Sequence, residues 1–237
     1  GGWGEIGRMN TLFKYYLEAW VLFSLAAAAL LAHLRFEGFF RRSWVAGLWL
    51  GALALLLGGS LIYPVLGARA RLADRFAPLP LTLDGAAYME QAFHGEEGQP
   101  LALKWDLEAI RWLQDNVTGS PVVLEAHHEQ YHWSGRISSY TGLPTVLGWP
   151  WHQMQQRGPK SDVLTRAAEV REIYNNIDVT RAESLLRQYQ VRYIVVGELE
   201  RAYYSPQGLQ KFEEMARRGV ISLVFNSPKV QIYQTNW

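Results

Sequence analysis

Two long apolar runs stand out near the start of the chain. From Tyr15 to Leu34 the one formally charged residue is Glu18, and from Trp44 to Ala68 there is none. At about 1.5 Å per helical residue, the first run extends over roughly 30 Å, the thickness of the hydrocarbon core of a bilayer, and the second is long enough to cross with some tilt. The pattern predicts two transmembrane helices, at about residues 15–34 and 44–68.

An alternative interpretation, two buried helices of a soluble protein, fits this pattern less well. A core helix of a globular protein usually keeps a polar face, whereas these runs are apolar on every face. Trp20, Trp44 and Tyr63 also lie within a few residues of the predicted span ends, where an amphipathic ring is stabilised at the level of the lipid headgroups. We therefore interpret residues 1–75 as a membrane segment.

The orientation of the predicted spans depends on the basic residues beside them. The nine-residue loop from Arg35 to Ser43 contains three arginines, but the outer flanks of both spans are also basic. The positive-inside rule applies best to short loops, so the sequence favours a cytoplasmic location for this loop. Residues 76–237 would then form a soluble, extracytoplasmic domain of an integral protein of the cell membrane.

Beyond residue 75 the pattern changes to short amphipathic segments. Residues 69–99 are predicted to be a linker with a short helical piece at 86–93. Asp106 and Asp162 are predicted to start helices. The segment from Thr180 to Glu183 matches a capping box, which predicts the start of another helix. The order helix, strand, long loop, helix, helix, strand, helix, strand, strand follows from segments 106–113, 121–126, 162–174, 180–189, 193–196, 205–215, 221–225 and 230–233. This order predicts a small α/β domain whose sheet is mainly parallel, with a hairpin at its edge.

Charge and composition exclude several classes of function. After residue 75 the chain has 15 basic and 18 acidic residues mixed along its length, so no basic stripe indicates nucleic-acid binding. The absence of cysteine excludes disulfides, thiolate metal sites and cysteine nucleophiles. The start of the chain has neither an initiator Met nor the layout of a signal peptide, which favours a C-terminal piece of a larger membrane protein.

One short motif matches a metal-binding template. His128-Glu129-Gln130-Tyr131-His132 has two histidines one helical turn apart with a glutamate between them, as in zinc metalloproteases. That chemistry needs a stable helix that presents both imidazoles on one face, but here the motif follows a strand and runs into Trp133-Ser134-Gly135. A zinc site at His128 and His132 therefore fits the sequence less well than a polar or substrate-facing loop.

The stretch from Tyr131 to Arg157 is the main candidate for a binding site. Its glycines and prolines predict a long loop without regular structure, and such loops are often functional. Tryptophan faces suit sugar rings, and arginine suits phosphate oxygens. Alternatively, the rings pack the loop against the sheet or the bilayer surface. The side chains concentrated here are Trp133, Arg136, Tyr140, Trp149, Trp151, His152 and Arg157.

The polar residues before the first apolar run are a second candidate. Arg8, Asn10 and Lys14 precede the predicted helix, where they either meet lipid phosphate at the interface or act as ordinary flank charges. Neither a Walker motif nor a dinucleotide-binding glycine pattern occurs, so ATP and NAD binding are unsupported. No cofactor is expected, although a role for a divalent cation stays open.

A set of segments spread over the chain carries a family resemblance. The most specific are Arg8 to Lys14 before the first span and Tyr140 to Trp149 in the long loop. Leu83-Asp84-Gly85, Tyr88-Met89 and Tyr193 to Gly197 belong to the same set. Together they resemble the C-terminal end of the YYY family of multispanning bacterial and archaeal membrane proteins, over nearly the whole chain.

The YYY family is in turn similar to the GT-C glycosyltransferases, which use a polyprenyl-phosphate sugar as donor and often end in an extracytoplasmic α/β domain. The resemblance implies sugar transfer at the outer membrane surface, with membrane lipid, the polyprenyl-phosphate sugar and a glycan or lipid acceptor as partners. The catalytic carboxylate of such enzymes lies in an early external loop, so no catalytic residue is assigned in this chain. The implied substrate contacts are Arg8, Asn10, Lys14, Arg136, Tyr140, Trp149, His152 and Arg157.

Two classes of function therefore stay open. The first is the C-terminal portion of a membrane glycosyltransferase. The second is a non-catalytic, membrane-anchored module that binds glycans or a partner protein. A zinc hydrolase and a transporter fragment fit less well, the latter because a transporter more naturally has charged or broken helices at the middle of the membrane.

Overall fold

The structure, a computed structural model, describes residues 3–38, 44–75, 80–156 and 160–237. The chain divides into two units, Gly1–Phe76 and Ala77–Trp237. The described part of the first unit is helical, and the second unit combines helices with two sheets.

The first unit contains two helices that are long and apolar enough to cross a membrane, Thr11–Arg35 and Trp44–Ala73. Most of their large apolar side chains are exposed, so these helices do not form the core of a globular fold. The predicted pair of apolar helices is therefore confirmed. The helical segments of this unit are α1 (Trp3–Phe36), α2 (Trp44–Ile62), a π-helical turn (Tyr63–Gly67) and α3 (Ala68–Arg75).

Two serine hydroxyls inside the apolar helices have partners within the same helix. Ser24 Oγ donates to the carbonyl of Trp20, and Ser60 Oγ donates to that of Leu57, both at 2.8 Å. A hydroxyl group in lipid needs such an internal partner because no water is available. Pro64 lies in the π-helical turn, where its missing N–H and bulky ring explain the local departure from α-helical geometry.

The second unit begins with a 3-10 turn at Ala87–Glu90 and an antiparallel hairpin. Its strands are β1 (Phe93–Glu96), β2 (Gln99–Ala102), β3 (Val122–Leu124), β4 (Val191–Val196), β5 (Ile221–Asn226) and β6 (Gln231–Thr235). Its helices are α4 (Leu103–Asn116), α5 (Arg136–Thr141), α6 (Pro150–Gln156), α7 (Lys160–Asn175), α8 (Val179–Gln188), α9 (Glu198–Tyr203) and α10 (Pro206–Arg217). The two helices of the first unit are thus followed by a small α/β domain, as the sequence predicts.

The main sheet is mixed rather than mainly parallel, which corrects one detail of the prediction. Its strand order is β3-β4-β6-β5. β3 and β4 run parallel, while β6 runs antiparallel to both β4 and β5. Because two of the four strands belong to the C-terminal hairpin, a single parallel pair is left within the described sheet. The predicted hairpin at the sheet edge is present.

Side chains along β4 alternate between two apolar layers. Ile194 and Val196 pack in one layer with α7, α8 and α10, while Tyr193 and Val195 pack in the other with α4 and α5. Successive residues of a strand point to opposite faces, so this strand contributes to both layers. Because helices cover both faces of the sheet, its strand ends are the natural place for polar sites.

Three helix starts differ from the sequence prediction, and that of α7 differs least, because the described helix begins at Lys160 rather than at Asp162. α4 begins at Leu103, so Asp106 is a buried residue inside the helix and not its N-cap. The cap of α8 is Asp178, whose carboxylate accepts the backbone N–H groups of Thr180 and Arg181. At α8 the carboxylate of Asp178 takes the capping position that the pattern gives to Thr180, whereas the N-cap of α4 is Ala102, which makes no side-chain capping bond.

The regions predicted to lack regular structure contain short elements. Residues 69–99 include α3 and β1 beside the 3-10 turn, which falls within the helical piece predicted at 86–93, and the stretch after Tyr131 includes α5 and α6. Helices of six or seven residues are too short to give a periodic signal. A parallel bridge between Val123 and Thr145 holds the segment between α5 and α6 against the sheet.

Candidate functional site

Polar residues follow both strands of the parallel pair. Glu125 to His128 come directly after β3, and Gly197 to Glu200 come directly after β4. Because the carboxyl ends of parallel strands meet at one edge, these residues lie close together. In open α/β sheets this edge is the usual place for a ligand.

A buried group of charges lies at this edge, and we call it the Arg136 cluster: Arg136, Asp106, Glu125 and Glu200. Arg136 Nη1 and Nη2 donate to the two carboxylate oxygens of Glu200 at 3.2 and 2.9 Å. Arg136 Nε lies 2.8 Å from Asp106 Oδ2. The side chains of Arg136 and Glu200 have no solvent exposure. This arrangement is a buried, bidentate ion pair with a second carboxylate beside it.

The glutamates of the Arg136 cluster also hold the backbone of neighbouring segments. Each accepts two backbone N–H groups, so their buried lone pairs are satisfied. The N–H groups that donate to Glu125 or Glu200, at 2.7 to 2.9 Å, are those of Ala126, Ile137, Ser138 and Gly197. The cluster therefore joins the segment after β3 to the starts of α5 and α9.

Burial and charge act in opposite directions on the carboxyl groups of the Arg136 cluster. Burial alone raises the pKa of Glu200, but the Arg136 guanidinium and the hydrogen bonds outweigh it, and the pKa is lowered. For Asp106 and Glu125, burial outweighs the attraction of Arg136, and the pKa is raised. The Arg136–Glu200 pair is therefore the ionised centre of the cluster.

Substrate contact, predicted for Arg136 from the sequence, does not fit its position. A fully buried guanidinium cannot reach a substrate without separating from Glu200 and Asp106. Breaking such a buried pair is strongly unfavourable because it leaves uncompensated charges in the interior. Arg136 is therefore a structural residue that fixes the start of α5.

An open cavity of about 480 Å³ lies beside the long loop, and we call it the Trp149 cavity. Residues of α5, the segment before α6, α6 itself and Arg166 of α7 form its wall. Trp149 Nε1 donates to the carbonyl of Ser134 at 3.1 Å, which fixes the indole. The indole centroid lies 5.3 Å from the His152 ring and 5.6 Å from the Tyr131 ring. The cavity thus has an oriented aromatic side chain in its wall.

Three buried polar atoms of the same wall have no hydrogen-bond partner within the part of the chain that the structure describes. They are Ser134 Oγ, Thr145 Oγ1 and His152 Nδ1. Buried polar atoms in native proteins are nearly always paired, and leaving one unpaired costs about 1–3 kcal/mol. The wall residues Ser134, Thr145 and His152 thus carry polar groups with unused hydrogen-bonding capacity, which is a feature of binding sites.

The structure brings together part of the predicted contact set. Trp149 and His152 both line the Trp149 cavity. Tyr140 is engaged elsewhere, because its hydroxyl oxygen lies 2.7 Å from that of Tyr88 and its ring packs against the apolar layer of α4 and α5. Arg157 lies outside the described residues. The cavity is therefore built around two of the predicted residues, joined by Ser134, Thr145 and Arg166, which sequence reasoning misses.

The predicted lipid-phosphate contacts all belong to α1. Lys14 is exposed on this helix. For Arg8 and Asn10 the structure describes the helical backbone, and their side chains lie outside the description. Contact of these residues with lipid phosphate stays a prediction.

The segment from His128 to His132 is not helical. The two imidazole centroids nevertheless lie 3.9 Å apart, because the chain turns at Tyr131, whose φ is 70°. His132 Nδ1 lies 2.6 Å from Glu96 Oε1, and His128 Nε2 lies 3.7 Å from Glu97 Oε1. Across the described ranges, no group of three or more such side chains is arranged to hold a metal ion. The segment therefore lacks the helix that a zinc hydrolase site requires, and the zinc-hydrolase interpretation is not supported.

Glu96 is a buried carboxylate that sequence reasoning misses. It ends β1, and besides His132 it contacts His94, whose Nε2 lies 3.1 Å from Glu96 Oε2. Burial raises the pKa of Glu96, but hydrogen bonds led by that from His132 outweigh this effect, and the pKa is lowered. The contact between His94 and Glu96 is predictable from their spacing, because residues two apart on a strand share a face.

Comparison with known proteins gives a structural similarity but no family. No family model and no curated protein matches the chain. Among solved structures, it is similar to the C-terminal globular domain of an oligosaccharyltransferase from Archaeoglobus fulgidus, with 15% sequence identity and a TM-score of 0.35. The similarity covers 55% of this chain and 95% of that domain. A similarity at this level does not carry a function, which has to be argued from the cavities themselves.

Proposed function

We propose that this chain is the C-terminal portion of a membrane glycosyltransferase, and that the Trp149 cavity binds a sugar ring during transfer from a polyprenyl-phosphate donor. The observation that carries the proposal is the cavity wall, which a fixed indole shares with three buried polar atoms that have no hydrogen-bond partner among the described residues. An indole face packs against the apolar side of a sugar ring, and hydroxyl and imidazole groups pair with its hydroxyls. The resemblance to the YYY family supports the same chemistry.

Basic side chains contribute a second part of the proposal. As the sugar leaves a polyprenyl phosphate, negative charge develops on the phosphate, and a cation held nearby stabilises it. Arg166 is exposed in the wall of the Trp149 cavity, and its Nη1 donates to the carbonyl of Val146 at 3.2 Å. The residues that we propose to contact the lipid phosphate are Arg8, Asn10 and Lys14, and Arg157 is proposed as a further substrate contact.

The proposal places residues 76–237 outside the cytoplasm. The short basic loop between the apolar helices favours this orientation. A polyprenyl-phosphate sugar stays at the membrane surface because its lipid is buried in the bilayer, so a domain anchored at that surface meets it. The catalytic carboxylate is expected in an early external loop of the complete protein, as the family resemblance implies.

A transfer assay with Trp149→Ala tests this proposal. Full-length protein in detergent is given a panel of labelled polyprenyl-phosphate sugars, and transfer to acceptor is measured. We expect kcat/KM to fall about tenfold or more, since each factor of ten corresponds to about 1.4 kcal/mol of lost contact. The matched control is Trp237→Ala, which removes an indole that does not line the Trp149 cavity. Equal activity of the Trp149 variant and wild type contradicts the proposal.

A second candidate function is a non-catalytic, membrane-anchored module that binds glycans or a partner protein. This candidate is favoured because the carboxylates of the Arg136 cluster already have partners within the protein. Asp106, Glu125 and Glu200 are each occupied by Arg136 or by backbone N–H groups, so none of these three is available for acid–base chemistry. This alternative predicts that Trp149→Ala weakens glycan binding while the full-length protein transfers no sugar.

A further inference from the structure

A second cavity, of about 300 Å³, lies at the edge where β3 and β4 end, and we call it the His127 cavity. It shares no wall residue with the Trp149 cavity. Its wall comes from the turn between β1 and β2, the segment after β3, α7, and the end of α9. The polar residues of this wall that determine which ligand it suits are Glu97, His127, His128, Arg171 and Tyr203.

His127 gives this wall a fixed hydrogen-bond acceptor. Its Nε2 lies 2.9 Å from the carbonyl oxygen of Ala167, which can only accept, so Nε2 carries the proton. Nδ1 therefore has a lone pair, and it has no partner among the residues that the structure describes. The residue is 4% exposed, and burial lowers the pKa of His127 to about 4. The imidazole is therefore neutral near pH 7, and Nδ1 needs a donor.

Other groups of the wall supply further acceptors and donors. His128 Nδ1 is a second buried atom without a partner in the described part of the chain. The His128 ring lies 4.8 Å from that of Tyr203, whose phenol stays protonated because burial and Glu96 raise its pKa. Arg171 is exposed, and no carboxylate of the described residues pairs with it. Its guanidinium is therefore available as a donor.

We infer that the His127 cavity binds a neutral, polyhydroxylated ligand of the size of one sugar unit. Sugar hydroxyls both donate and accept, so they satisfy the imidazole nitrogens and also the Arg171 guanidinium. A phosphate ion offers mainly acceptors, which leaves His127 Nδ1 without a donor and places a negative charge near Glu97. The cavity volume is at the lower end for small-molecule sites, which suits one ring and not an extended chain.

This inference adds a second sugar site but does not depend on the proposed transfer reaction. In a transferase the His127 cavity would hold one unit of a glycan acceptor, while the Trp149 cavity holds another ring. In a binding module both cavities would hold units of a recognised glycan. The wall of the His127 cavity supports sugar binding in either case.

The test measures binding of methyl glycosides of glucose, mannose and galactose, and of inorganic phosphate, by saturation-transfer NMR. It uses the full chain in detergent with Trp149→Ala, which removes the other proposed sugar site. We expect at least one glycoside to bind, and Arg171→Ala to weaken that binding about tenfold or more, as loss of a charged donor does. Ala202→Trp, which fills the cavity with an indole, is expected to have the same effect.

The control is Arg217→Ala, which removes an exposed arginine of α10 that belongs to neither cavity. Because Arg171 is exposed, its variant is expected to fold even if the larger Ala202 change does not, and thermal unfolding checks this. Three results overturn the inference: no glycoside binds, Arg171→Ala binds like Arg217→Ala, or phosphate binds in place of the glycosides. Transfer by the protein with an intact Trp149 is scored separately, so the two proposals can fail independently.

Discussion

At the scale of single residues, Arg136 brings a positive charge into the interior of the second unit, where ions are poorly solvated. The desolvation is offset because Glu200 and Asp106 lie 2.9 and 2.8 Å from its nitrogens. Buried pairs of this kind add little net stability over an apolar core, but removing one partner leaves the other charge uncompensated. The Arg136 cluster is therefore sensitive to single substitutions.

Arg136→Met keeps much of the side-chain volume and removes the charge. We expect the free energy of unfolding of the second unit to fall by about 3–5 kcal/mol, because Glu200 loses its buried partner. Chemical denaturation of the full chain, followed by tryptophan fluorescence, measures the loss. The control is Arg187→Met, whose exposed pair with Glu183 contributes little. Similar losses in the two variants would show that the Arg136 pair is not the ionised centre of the cluster.

A second prediction concerns His127 and the dependence of the protein's stability on pH. Its pKa is lowered from 6.5 to about 4, so the unfolded chain binds a proton at a pH where the folded chain does not. This difference in pKa contributes roughly 3 kcal/mol to the free energy of unfolding. The contribution is fully present above pH 6.5 and is lost as the pH falls towards 4. His127→Gln keeps a hydrogen-bond donor but does not titrate. We expect its unfolding free energy to fall less than that of wild type over this interval, and parallel curves would refute the assignment.

The contrast between Trp149 and Arg136 shows how far residues can be assigned from the sequence. Aromatic residues in a long loop predict a binding surface by their type, and Trp149 and His152 do line a cavity, whose binding function is our proposal. The carboxylates around Arg136 are far apart in the sequence and come from separate elements, so no local sequence pattern predicts that they form a cluster. Tertiary packing alone decides whether an arginine in a loop faces solvent or the interior.

At the scale of elements, the C-terminal hairpin and the apolar strand β4 were predictable, because turn residues and apolar runs are local signals. The pairing of β6 with β4 was not, since strand order depends on contacts between distant segments. The hairpin β1–β2 was missed because its strands of four residues carry no clear alternation. Short elements and long-range pairing thus account for the main differences in the fold.

The packing of α10 against α7 depends on Gly208. A Cβ at this position would lie 2.3 Å from the carbonyl oxygen of Tyr174 and 2.6 Å from Asn175 backbone atoms. Gly208→Ala must therefore push the two helices apart, and we expect a loss of about 1–3 kcal/mol in unfolding free energy. The control is Gly95→Ala, where a Cβ meets no atom within 4 Å. A Gly208 variant as stable as this control would contradict the close approach.

At the scale of the whole molecule, the sequence separates a segment suited to lipid from one suited to water, but it does not settle orientation. Both flanks and the connecting loop are basic, so the charge rule gives a narrow preference. Placing residues 76–237 outside the cytoplasm is therefore a proposal, and the proposed sugar chemistry depends on it. Lipid-linked donors used at the outer surface are out of reach of a cytoplasmic domain.

Labelling of single cysteines in intact cells tests this arrangement most directly, because residues 1–237 contain no natural cysteine that would be labelled as well. Glu213→Cys places a thiol on an exposed position of α10, and Glu37→Cys places one on an exposed position just after α1. With a membrane-impermeant maleimide, we predict labelling at position 213 in intact cells and at position 37 only after permeabilisation. Labelling at 37 and protection at 213 in intact cells would contradict the proposed function, since the sugar-binding cavities would then face the cytoplasm.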